Sequence, residues 1–90
     1  MKNHQTKLIE GIFSPIKAKN LLLDLFNYKV DFHKNEKLSN HLRFGTDREQ
    51  SEKRIKELML EKKQLLEWFD SLDDTEILAI NCNIIIEKLP

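Results

Sequence analysis

The sequence predicts an α+β fold in the order β-α-α-β, an antiparallel helix hairpin packed on a two-stranded antiparallel sheet. Three observations predict it. Apolar residues recur in steps of three and four at Ile55, Leu58, Met59, Leu65, Leu66, Phe69 and Leu72, within 26 residues (47–72) that hold no Pro and no Gly; this is the period of an amphipathic helix. Ser14-Pro15 opens an earlier apolar stretch with a helix-start signal, Ser as N-cap and Pro at the first helical position. From Glu76 the period changes to two: Leu78, Ile80, Cys82, Ile84 and Ile86 alternate with Ala79, Asn81, Asn83, Ile85 and Glu87, the mark of a strand, in residues rich in Ile as strands are.

Taken in order, residues 1–6 are polar and are expected to fray. Residues 7–13 form a short apolar run that must stop at Ser14, and so read as a strand of about six residues; Gly11 inside it is expected to mark a bulge or the close approach of another backbone. The first helix is expected over 15–34. Its solvent stripe is Asn20, Asp24, Asn27 and Asp31, while Ala18, Leu21, Leu22, Leu23, Leu25, Phe26, Tyr28, Val30 and Phe32 cover an arc of roughly 220°. A surface helix needs little more than about 100°. This helix must therefore face more than one neighbour: the sheet, the second helix, and a further subunit.

Residues 33–45 are the least regular, with Leu38 and Leu42 spaced for a short turn of helix and Phe44-Gly45 as a stop. Thr46-Asp47-Arg48-Glu49 matches a capping box. The long helix that follows has an apolar arc of roughly 140°, with Glu49–Lys53 and Glu52–Lys56 spaced as favourable i,i+4 pairs. Leu60 lies opposite its apolar face and Trp68 just outside it; Trp there suits either the edge of the core or an interface. Asp73 and Asp74 oppose the helix dipole and end the helix near Leu72.

Ninety residues make one domain, 1–90, with a small core. Fifteen basic and fifteen acidic residues cancel, so no overall charge draws the chain to nucleic acid or an anionic membrane. Apolar runs reach only four residues, too short to span a bilayer, and no secretory leader is recognisable at 1–11. One cysteine, Cys82, allows no intrachain disulfide and fits a reducing, cytoplasmic setting.

Few residues suggest chemistry. His4, His33 and His41 have no metal-ligand spacing; His33, inside the apolar arc, reads as a boundary histidine. Cys82 points with the apolar face of its strand, the setting of an inert thiol. Gly11 and Gly45 are the only glycines, so no phosphate loop exists. The expectation is a non-enzyme with no cofactor and no metal. One local bias stands out: Lys29, Lys34, Lys37, Arg43 and Arg48 against Asp31, Glu36 and Asp47, a net of +2 at the helical turnaround. Phe32 and Phe44 offer stacking faces there. The site expected to touch a partner or anion is therefore His33, Lys34, Lys37, His41, Arg43, Phe44 and Arg48, although phosphate-binding surfaces normally carry a denser stripe.

Residues 8–13 (LIEGIF), 27–33 (NYKVDFH), 43–45 (RFG) and 53–58 (KRIKEL) resemble short bacterial proteins of unknown function, mostly from Bacteroidetes. The resemblance implies a stand-alone domain of this length. It brings no activity, cofactor or partner, and marks Phe32, His33, Arg43, Phe44 and Gly45 as a site to test.

A two-stranded sheet is marginal alone, the second strand outruns the first as read here, and unpaired edges invite another chain. The expected assembly is a homodimer whose sheet extends to four strands, with Trp68, Leu78, Ile80, Ile84 and Ile86 at the self-interface. The expected function is a non-catalytic protein-interaction or structural module, with an unidentified protein as possible second partner. The alternative is a nucleic-acid accessory or regulatory protein using the basic tip.

Overall fold

The computed structural model describes residues 3–43 and 48–90, and side chains over 3–36 and 49–90. The order is β-α-α-β: β1 (Asn3–Phe13), α1 (Pro15–Arg43), α2 (Arg48–Asp70) and β2 (Leu78–Glu87). The strands form one antiparallel two-stranded sheet and the helices a hairpin.

Two elements run further than the sequence predicts. β1 begins at Asn3 rather than Lys7, so residues 3–6, expected to fray, pair with Glu87, Ile86, Ile85 and Ile84. The polar run His4-Gln5-Thr6 carries no strand period of its own; its partners are the apolar residues of β2, and pairing overrides composition. β2 therefore has a partner along its whole length, and the inference that its end lacks one does not hold. α1 continues to Arg43, nine residues past its expected end. Residues 35–43 hold no Pro or Gly, and nothing in them stops a helix already nucleated upstream. The capping box at 46–49 falls largely outside the described residues.

The N-terminus of α1 is built as expected. The Lys17 amide donates to Ser14 Oγ at 3.4 Å and the Ala18 amide to the Ser14 carbonyl at 2.9 Å, while Pro15 occupies a position whose amide needs no partner. At the same end of the hairpin, where α2 stops, the Ser71 hydroxyl donates to the Trp68 carbonyl at 2.6 Å, and the Ser71 and Leu72 amides donate to the carbonyls of Trp68 and Phe69, both at 3.1 Å. These bonds tighten the last turn and satisfy carbonyls that a helix end leaves open.

The sheet has one irregularity. Lys7 faces Asn83 and Ile9 faces Cys82, so Leu8 is an extra residue on β1. The bulge sits three residues before Gly11. A Cβ at Gly11 would meet only the Phe13 ring, at 3.4 Å, and no backbone approaches it. The bulge changes which residues share a face. Lys7 and Glu10, three apart, would point to opposite faces of a regular strand; here they share one, and their side chains form an ion pair at 3.1 Å.

The sheet face towards the helices carries Ile9, Gly11 and Phe13 opposite Cys82, Ile80 and Leu78, all buried or half-buried. The same face continues through Thr6 and His4 opposite Ile84 and Ile86, and there it is exposed. Only α1 brings its backbone near the strands; among the described residues α2 packs on α1 alone. The wide apolar arc of α1 meets two neighbours, sheet and helix, and leaves Tyr28 and Phe32 exposed. Its stripe of Asn20, Asp24, Asn27 and Asp31 is exposed throughout. The buried apolar side chains are few: Ile9, Ala18, Val30, Leu58 and Phe69. Met59, expected on the core face of α2, is exposed, and Ser51, near the start of the helix, is buried.

The molecule is splayed. It measures 50 × 35 × 14 Å with a radius of gyration of 16.4 Å, against about 12 Å for a compact chain of this length.

Candidate functional site

Of the contact residues predicted at the helical turnaround, only His33 and Lys34 have described side chains. His33 turns inward: its side chain is 12% exposed and both ring nitrogens are buried, with no hydrogen-bond partner among the described residues. Its Nδ1 lies 3.9 Å from Glu36 Oε1, an ion-pair distance beyond hydrogen-bond reach. The same Glu36 oxygen accepts from the Ser51 hydroxyl at 3.4 Å, joining α1 to α2. This is the place of a boundary histidine between two helices. Lys34 is exposed. Lys37, His41 and Arg43 lie on α1 and Arg48 opens α2; their side chains, and Phe44 altogether, fall outside the described residues.

Phe32, offered as a stacking face, already holds two neighbours. The Lys29 ammonium sits 4.7 Å above its ring centroid, a cation–π contact. The His33 ring meets it edge to face with centroids 5.4 Å apart.

The predicted self-interface residues divide in two. Leu78 and Ile80 are half-buried beside α1. Ile84, Ile86 and Trp68 are 36%, 56% and 51% exposed. Trp68 stacks edge to face on buried Phe69, centroids 5.3 Å apart, and leaves its outer side to solvent. The sequence did not single out Ile12 and Ile85, exposed on the sheet face away from the helices, or Leu8, the exposed extra residue of the bulge. The signal for Ile85 was present, since it breaks the polar side of the β2 alternation. That for Ile12 was not, because its register with Ala79 depends on the bulge.

Two of the surface recesses lie among the described residues. One, about 270 Å³, lies between the start of α1 and the end of α2, lined by Pro15, Ile16, Lys19, Phe69, Asp70, Leu72 and Asp74. The other, about 300 Å³, is a dip over Gln5, Thr6, Lys7 and Asn83. Both are open to solvent, at the lower limit of ligand-pocket size. Among the described residues no three His, Cys, Asp or Glu side chains stand close enough to hold a metal ion, and no helix is long and apolar enough to cross a membrane.

The prominent feature is therefore a large surface, with exposed apolar side chains such as Ile12, Ile16, Tyr28 and Ile77 on it. The chain exposes 7591 Å², where a compact monomer of its mass exposes about 5,500 Å². No protein-family model, curated protein or solved structure matches the chain.

Proposed function

We propose that the protein is a non-catalytic interaction module that works as a homodimer. The observation that carries this reading is the surface: 7591 Å² accessible, some 2,000 Å² more than a compact chain of this mass leaves to water. A standard interface buries about 800 Å² on each partner, and obligate homodimers roughly 1,000–2,500 Å². The excess is of the obligate size. A two-stranded sheet with bare apolar residues on both faces supports the same reading, since at least three strands are normally needed for stability in water. A second copy is the partner of choice because closed two-fold dimers are the commonest assembly. A cytoplasmic location goes with the single cysteine, Cys82.

Sedimentation equilibrium at micromolar concentration tests the reading. The expected mass is twice the 10.7 kDa of one chain. A single species at 10.7 kDa, still folded by circular dichroism, defeats it.

A further inference from the structure

We propose that two copies join along the outer edge of β2, antiparallel about a two-fold axis at Cys82, to make a four-stranded sheet in the order β1-β2-β2-β1. This rests on the homodimer reading and names the edge and register.

The sheet has two free edges, one on each strand. The β1 edge is blunted by the bulge at Leu8 and by the exposed Lys7–Glu10 ion pair, two of the devices that keep strand edges from pairing. β2 has neither. Its register with β1 holds no extra residue on the β2 side, and it carries no Pro and no charge before Glu87. A flat, uncharged edge is a template for another strand.

The sequence of β2 then selects the register. Residues 80–84 read Ile-Asn-Cys-Asn-Ile, the same in both directions. Antiparallel pairing about a two-fold axis places each residue opposite its mirror position. Centred on Cys82, it sets Ile80 against the partner's Ile84, Leu78 against the partner's Ile86, and Cys82 against itself, all on the helix-side face. On the other face Asn81 meets the partner's Asn83, and Ala79 the partner's Ile85. Every pair is apolar with apolar or amide with amide. Centring on Asn83 instead opposes Asn81 to the partner's Ile85 and Ala79 to the partner's Glu87. Like pairs on both faces are what stabilise a cross-strand ladder, and a slip of one residue would turn each side chain to the wrong face.

Coverage agrees with the register. Within one chain the helix-side face is half-buried at Leu78 and Ile80 and bare at Ile84 and Ile86. In the Cys82-centred pairing, the covered end of each sheet lies beside the bare end of the other. The α1 that shields Leu78 and Ile80 in one copy is thereby carried alongside the exposed isoleucines of its partner.

The test is a set of spin-label distances read together with sedimentation equilibrium of the same samples. Nitroxides are placed at Ala79→Cys and, separately, at Ile85→Cys, both in a Cys82→Ser background; the two sites lie on the exposed sheet face. The Cys82 axis sits three residues from each, so both variants return the same inter-copy separation, about 20 Å between backbones at about 3.4 Å per residue. Asn81→Cys and Asn83→Cys form a second matched pair, about 8 Å apart in each variant by the same spacing, and serve if the first pair does not fold. A dimer with matched distances supports the proposal. A dimer with unequal distances within a pair overturns the edge or register and leaves the homodimer standing. A folded monomer overturns both.

Discussion

The Ser51 hydroxyl donates to Glu36 Oε1 at 3.4 Å across the helix pair, and Ser51 is buried to 2% exposure while Glu36 is part-exposed. Ser51 is the only buried polar residue among the described side chains. Its bond is long, so its share of stability belongs at the low end of the range for a charged acceptor. Ser51→Ala is expected to cost about 1 kcal/mol, read as a lower urea midpoint with unchanged slope. Ser51→Leu should cost more, by about 1–3 kcal/mol of overpacking. Equal midpoints for the two variants would show that the site has room the packing does not suggest.

His33 lies beside this bond with both ring nitrogens buried and without a hydrogen-bond partner among the described residues. A buried polar group without a partner is costly, and an apolar group of similar size removes that cost. His33→Leu is therefore expected to leave the thermal midpoint unchanged or raise it by a few degrees, since about 1 kcal/mol shifts a domain of this size by roughly 4–8 °C. A fall of that size would mean that the imidazole has a partner in solution.

Ser14 accepts the Lys17 amide at 3.4 Å as the N-cap of α1. Replacing such a cap by Ala costs about 0.5–2 kcal/mol, and by Asp little. Ser14→Ala should lower the urea midpoint and Ser14→Asp restore it. If both variants lose stability alike, the hydroxyl is not acting through its acceptor oxygen.

Trp68 and Phe69 are neighbours with opposite roles: Trp68 is 51% exposed and Phe69 7%. Phe69→Ala empties part of a small core and is expected to cost about 3–5 kcal/mol, a large share of the stability a domain of this size commands. Trp68→Ala should cost the single chain much less. If Trp68 belongs to the self-interface, its loss weakens the dimer by more than tenfold in dissociation constant while the circular dichroism spectrum is kept. A Trp68→Ala chain that dimerises like the parent places Trp68 outside the interface.

Much of the fold was legible in the chain because its signals are local. The Ser14-Pro15 start, the solvent stripe of α1, the three-four spacing of Leu58, Leu65, Leu66 and Phe69, and the alternation from Leu78 to Ile86 each report a backbone period within a few residues. The reading of His33 as a boundary histidine came from the same helical geometry. The misplaced start of β1 depends on a distant partner. His4 and Thr6 are strand residues because Ile86 and Ile84 lie opposite, and no local pattern announces that.

What the sequence determined by itself was the order β-α-α-β, the apolar breadth of α1, and the near-palindrome of β2 around Cys82. Tertiary structure alone decided that the bulge falls at Leu8, that Lys7 and Glu10 share a face, that Ser51 is buried, and that Ile84 and Ile86 are left bare. The reason is one of range. Helix and strand periods are fixed by backbone geometry over one or two turns, whereas register, burial and leftover surface depend on which segments meet across the fold.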